Sequence, residues 1–223
     1  MFKSKLRPIV IPQTEHEKLA GALAFLWGNA QFDRPNIDFS SFVAGVELHD
    51  RGYGFMDTAP LLETAEARWL QLTRQGFYLP MADPSADLII KLHLKRLTSY
   101  DNSAPRQTLL AEMASVIENQ IAQYQLDQEE FLRIDRITNF CDSLSFSFCF
   151  EQPAQGTINV FPKQGSDAQI PLHYAINGGN ITIDPWPFTV ESFTGYLVGY
   201  QSQGYPAVPD PVIVPYRINK KPA

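Results

Sequence analysis

Apolar positions in the first two thirds of the chain recur at helical spacing. Leu19, Leu23, Leu26 and Trp27 share one face, and Thr14 with Glu17 has the spacing of a capping box, in which a hydroxyl and a carboxylate satisfy free amides at a helix start. A helix is expected to open there with His16 on its apolar side. Asp38 is placed to cap a second helix, whose inward stripe runs through Phe39, Phe42, Val43 and Val46 and reaches His49 and Asp50 at the next two inward positions. Arg51-Gly52-Tyr53-Gly54 breaks that helix, and a loop through Asp57 and Pro60 leads to a third helix ending near Gly76. Asp83-Pro84 starts a fourth with Ala86, Ile89, Ile90, His93 and Leu97 inward. Pro105 opens a fifth, with Leu109, Met113, Val116, Ile117 and Tyr124, and Asp127 with Glu130 opens a sixth through Ile134, Ile137, Cys141 and Asp142.

Beyond Pro153 the period changes. Short runs rich in β-branched and aromatic residues, separated by turn residues, predict strands over 157–161, 169–176, 180–184, 194–201 and 211–217. Asn177-Gly178-Gly179 between two of them reads as a tight hairpin turn. The expected fold is therefore mainly α, a helical domain over residues 1–150 with a β-rich extension over 151–223 that packs on it and walls one side of a cleft.

Composition narrows the partners. With 24 acidic and 18 basic residues the formal charge is -6, so no excess positive field exists to hold a nucleic acid polymer. Cys141 and Cys149 are the two cysteines and lie in one apolar run, which suits buried free thiols in a reducing compartment. The segment MFKSKLRPIVIP is too briefly apolar for a signal sequence or a membrane span. A cytoplasmic protein with no membrane partner is expected, and a homodimer is one of the assembly states left open.

Three of the four histidines fall on inward helical faces, where an unpaired imidazole is costly. A divalent cation resolves this, since neutral imidazoles and carboxylates are ordinary ligands and helices give them rigid backing. A site between the first, second and sixth helices would receive His16, His49, Asp50 and Asp142 from several directions. His49 and Asp50 are the unusual pair, because helical neighbours diverge by roughly 100° and share a small target only at a crowded interface. The plainer alternative is that these residues make separate core hydrogen bonds, Asp142 with Arg136 for instance. His173 reads as structural, and Trp186 as packing or as the lining of a pocket.

The order histidine, histidine-aspartate, distant aspartate resembles the HD-domain superfamily of metal-dependent phosphohydrolases. Gln13-Thr14-Glu15-His16, Glu47-Leu48-His49-Asp50-Arg51-Gly52-Tyr53-Gly54, Leu92-His93, Cys141-Asp142-Ser143-Leu144-Ser145 and Pro185-Trp186-Pro187-Phe188 are similar, more closely, to a bacterial family catalogued as a domain of unknown function. The superfamily resemblance implies an HD-like helical bundle and a divalent ion (Fe, Mn, Zn, Ni or Mg). It also implies hydrolysis of a small phosphorylated compound or nucleotide by metal-activated water. Many two-metal members carry further histidines where this chain has only His93, which favours one ion. It leaves His93 as a ligand, a partner behind the ligands or a substrate contact. Lys91, Lys95 and Arg96 flank it, the last two as candidate phosphate contacts. Beside Asp50, Asp57 and Glu47 are candidates for proton transfer. The alternative is a non-catalytic sensory protein that keeps the cage to hold a metal and an anion.

Overall fold

A computed structural model describes residues 1–57 and 64–222; the loop expected through Pro60 lies outside the described residues. Two short strands come first, β1 (Phe2–Lys3) and β2 (Ile9–Ile11). Six helices follow: α1 (Gln13–Leu26), α2 (Phe39–Glu47), α3 (Glu66–Tyr78), α4 (Pro84–Thr98), α5 (Ala104–Tyr124) and α6 (Gln128–Phe150). Strands β3 (Gln155–Val160), β4 (Ile170–Asn177), β5 (Asn180–Asp184), β6 (Ser192–Gln201) and β7 (Pro211–Lys220) close the chain.

The expectation of a helical bundle with a small extension is overturned. Strand makes up 21% of the structure beside 46% helix, and it forms a single seven-stranded mixed sheet curled into a half-barrel, a principal layer of the fold. Its order is β1-β2-β6-β7-β5-β4-β3, antiparallel throughout except for the parallel β5–β7 pair. The first two strands precede α1 and join through Val10 opposite Tyr200. Ile9, Val10 and Ile11 are all buried, so they carry no alternation to mark a strand, and prolines on both sides disguise the run further. The later strands announce themselves better: in β7 the buried positions Val214, Tyr216 and Ile218 alternate with more exposed ones. The β4–β5 hairpin turns at Gly178, whose φ is 58°.

Three of the six helices start on a capping aspartate. Asp38, Asp83 and Asp127 each accept backbone N–H bonds in the first turns of α2, α4 and α6. The capping box at Thr14 does not form. Helix α1 begins two residues earlier, with Pro12 at the cap position, and the Gln13 amide donates to Asp57 Oδ1 at 2.9 Å. Apolar residues of the helices and of the sheet belong to one continuous core, from Leu19 and Leu144 to Leu197 and Ile218. Helix α1 packs on α2 and α6, and α4 on α2 and α6, so four segments close a ring. Gly45 permits the α2–α4 approach, since a Cβ there would stand 2.7 Å from Ile89 Cδ1.

The segment after α2 is pinned as tightly. Gly52 has a φ of 102°, which favours glycine, and its neighbour Arg51 donates to the Gly76 carbonyl at 2.8 Å and pairs with Asp87 at 2.9 Å. A Cβ on Gly76 would lie 2.0 Å from the Arg51 carbonyl oxygen. Gly76→Ala is therefore expected to cost about 1–3 kcal/mol, the usual range for forced overpacking. A lower urea midpoint at unchanged slope is the readout.

Candidate metal centre

Four chain segments bring His16, His49, Asp50, His93 and Asp142 together. His16 projects from α1, His93 from α4 and Asp142 from α6. The His49-Asp50 pair does not continue α2 as expected: the helix ends at Glu47, and the pair lies in the turn that follows. That turn is held by the His49 amide to the Val46 carbonyl at 3.3 Å and the Arg51 amide to the Leu48 carbonyl at 2.9 Å. Leaving the helix frees the two side chains from the angular divergence of helical neighbours, which is how adjacent residues reach one point.

The geometry is tight. His16 Nε2 and His49 Nε2 are 2.9 Å apart. Asp142 Oδ1 lies 3.5 Å from each of them, and Asp50 Oδ2 lies 3.5 Å from His16 Nε2 and 3.9 Å from His49 Nε2. Two ligands each about 2.1 Å from one ion stand about 3.0 Å apart at a right angle and about 3.4 Å apart at the tetrahedral angle, so these separations fit a shared cation.

Proton positions sharpen the case. His49 Nδ1 donates to the Val46 carbonyl at 2.7 Å, which leaves Nε2 as a bare acceptor. The Ser145 hydroxyl has carbonyl acceptors at 2.9 Å (Cys141) and 3.0 Å (Asp142), so it receives the His16 Nδ1 proton at 2.8 Å. His16 Nε2 is then also an acceptor when the ring is neutral. Two lone pairs thus face each other 2.9 Å apart inside a fully buried pair of rings, and a positive charge must lie between them. Without a metal that charge is a proton. Burial alone would push His16 down, but hydrogen bonds with Asp142 and Asp50 outweigh it and hold the imidazole well above its ordinary value. Burial likewise works against both carboxylate charges. At Asp50 it is overcome chiefly by His49 and His16, and at Asp142 by hydrogen bonds with His16 and His49, so both stay ionised.

His93 joins the cluster through Asp50, and with His49 and Asp50 it forms a second group whose ligand atoms lie within 4.8 Å of one another. Its Nε2 donates to Asp50 Oδ1 at 2.9 Å, and its Nδ1 accepts from Arg96 Nη2 at 2.8 Å. Burial, then the charge on His49, depresses its pKa, so the ring is neutral. Arg96 also reaches Asn139 at 2.8 Å, Asp135 at 3.2 Å and Asp142 at 3.6 Å. This guanidinium fixes the His93 tautomer and braces Asp142, while Lys95 is half-buried in the last turn of α4 and Lys91 pairs with Asp87 at 2.6 Å.

Above the two aspartates opens a cleft of about 740 Å³. Tyr53, Trp69, Tyr100, Phe146 and Tyr174 give it aromatic walls, the last contributed by the sheet. Neither Lys95 nor Arg96 lines it, and neither Asp57 nor Glu47 does. Asp57 instead holds the Gln13 amide and lies 3.1 Å from the Met1 ammonium, and Glu47 is exposed on α2 beside Gly21. Arg136 serves the Asn159 carbonyl, not Asp142. His173 accepts from Thr157 on the exposed face of β4, and Trp186 packs on Phe188 with its indole donating to Val190.

Sequence reasoning missed Gln13, Ser145 and Glu17. Gln13 Nε2 donates to Asp50 Oδ2 at 3.3 Å, and Glu17 is pushed up to about 7 by burial and next by Asp50. Ser145 had a legible signal, falling three residues after Asp142 on the face of α6 that carries it.

Residues 3–201 match the family described as protein of unknown function (DUF3891). The chain belongs to that family. Every residue of the cluster falls within the matched region. Searches of curated proteins and of solved structures give no match. Among the described residues no helix is long and apolar enough to cross a membrane.

Cation-free protein should lose stability as pH climbs above about 6.5, the ordinary histidine value, with Glu17, raised to about 7, adding to the loss up to its own value. His16, raised by folding, stabilises fully below about pH 6.5 and ceases to do so as pH climbs through its raised value; His93, lowered by folding, withdraws stability as pH falls below about 6.5. Melting temperatures of chelator-treated protein from about pH 5 to pH 9 test this, and a saturating divalent cation should remove the decline on the alkaline side.

Proposed function

We propose that this protein is a divalent-cation-dependent hydrolase of a small phosphorylated compound or nucleotide, with an HD-type donor set. What supports the reading is the facing pair of buried imidazole acceptors, 2.9 Å apart, beside two ionised aspartates that line an accessible cleft. His16, His49, Asp50 and Asp142 would hold the ion, and His93 with Arg96 orients the aspartates. A cation held there supplies Lewis acidity toward a phosphoryl oxygen and makes water acidic enough to attack near neutral pH.

Charge in the cleft argues the same way. Asp50, Glu66, Asp101 and Asp142 line it against one guanidinium, Arg106, among the described residues. Arg106 is itself spoken for, paired with Glu66 at 3.0 Å and lying 4.5 Å over Trp69. An anion is repelled by this set until a cation is bound. Two buried free cysteines are consistent with a cytoplasmic setting.

A second reading, a non-catalytic protein that holds a metal and an anion, draws on one observation: Asp57 and Glu47, the carboxylates expected to move the proton, lie off the cleft. One experiment separates the two. Metal-loaded protein is expected to release phosphate from a member of a broad phosphoester panel, and His49→Ala to reduce this to background with an unchanged circular dichroism spectrum. Binding of inorganic phosphate with no turnover across the panel would select the second reading, and equal activity in His49→Ala would reject the hydrolase. His93→Ala, which removes only the orienting bond to Asp50, should weaken cation affinity about 10–100-fold.

A further inference from the structure

The side chain of Gln13 is wholly buried, yet it borders the cleft beside Asp50. Its backbone amide is fixed by Asp57 at 2.9 Å. Its amide nitrogen must face Asp50 Oδ2, 3.3 Å away, because a carboxylate oxygen only accepts hydrogen bonds. The orientation of the amide is therefore set, and Oε1 is turned away from the carboxylate. That oxygen is buried and has no hydrogen-bond partner among the described residues. A buried carbonyl oxygen left unpaired is unfavourable, and the side chain that bears it lines a cleft which admits water.

We infer that Gln13 is the residue that positions water at the floor of the cleft: Oε1 accepts an O–H from a water beside Asp50 and Asp142, and Nε2 ties the same amide to the Asp50 carboxylate. An amide carbonyl does not take the proton at neutral pH, so the role is orientation. One O–H bond is directed at Gln13, and the oxygen lone pairs are left facing the cleft. Asp50 and the water are thereby placed by one rigid group, itself anchored at the first residue of α1. The inference rests on the cation reading proposed above, because only an ion shared with Asp50 holds that water long enough to be oriented.

The test uses full-length protein loaded with Mn2+ alone and read by electron–nuclear double resonance in H2O and D2O. Wild type should show a sharp, exchangeable proton coupling from an ordered water. Gln13→Met should weaken Mn2+ binding about 10–100-fold, the usual effect of removing a bond that orients a ligand, and at saturating Mn2+ lose that coupling to a broad distribution. Gln13→Asn, which withdraws the carbonyl by one methylene and keeps its polarity, should lose it too, and decides the matter should the methionine variant not fold. A coupling unchanged in the folded variant overturns the role of Gln13 and leaves the cation reading standing. Mn2+ binding abolished in the folded methionine variant makes Gln13 a ligand and overturns the positioning role. Wild-type protein that binds no divalent cation overturns the cation reading, and this inference with it.

Discussion

Two imidazole nitrogens that both want a positive charge, held nose to nose in a place without water, impose the condition that the rest of the structure serves. Neither ring can turn away, because each outer nitrogen is engaged: His49 with the Val46 carbonyl and His16 with Ser145. Two ionised aspartates buried beside them would be prohibitive alone and become favourable once a cation is shared. The ring of α1, α2, α4 and α6 supplies the stiffness, and the end of α2 supplies the one turn from which consecutive residues converge.

The same cluster sets the electrostatic sign of the cleft. Arg96 is committed beneath the floor to Asp135, Asn139, Asp142 and His93, so the positive charge nearest the aspartates supports them and does not greet a ligand. The aromatic walls are the uncharged part of the cleft. A chain with a net charge of -6 thus carries a cleft whose own charged lining is predominantly acidic.

Much of the site was legible in the sequence. The helix caps at Asp38, Asp83 and Asp127 and the polar residues interrupting apolar stripes are local signals, and they pointed to His16, His49, Asp50 and Asp142 as one group, which His93 joined only through the family resemblance. Illegible were the relations between segments. Asp57 follows the His49-Asp50 pair by only seven residues and looks like chemistry, yet it holds the first amide of a helix 44 positions away in sequence. Arg96 reads as a phosphate contact, and only packing against α6 reveals that it points inward to Asp135 and Asn139. The sheet was underestimated because β1 and β2 are too short and too buried to show a period, and because strand order is a long-range property.

The entry of β2 into the sheet beside β6 has a consequence for how the molecule comes into being. The segment immediately before His16 finds its hydrogen-bonding neighbour nearly two hundred residues later, and Glu15 on α1 accepts from the Val198 amide of that same strand. A nascent chain can wind its helices early, but the helix bearing the first imidazole is seated only after β6 has emerged. The cluster of His16, His49, Asp50 and Asp142 is in this way completed only once β6 is available, although every one of its members lies earlier in the chain.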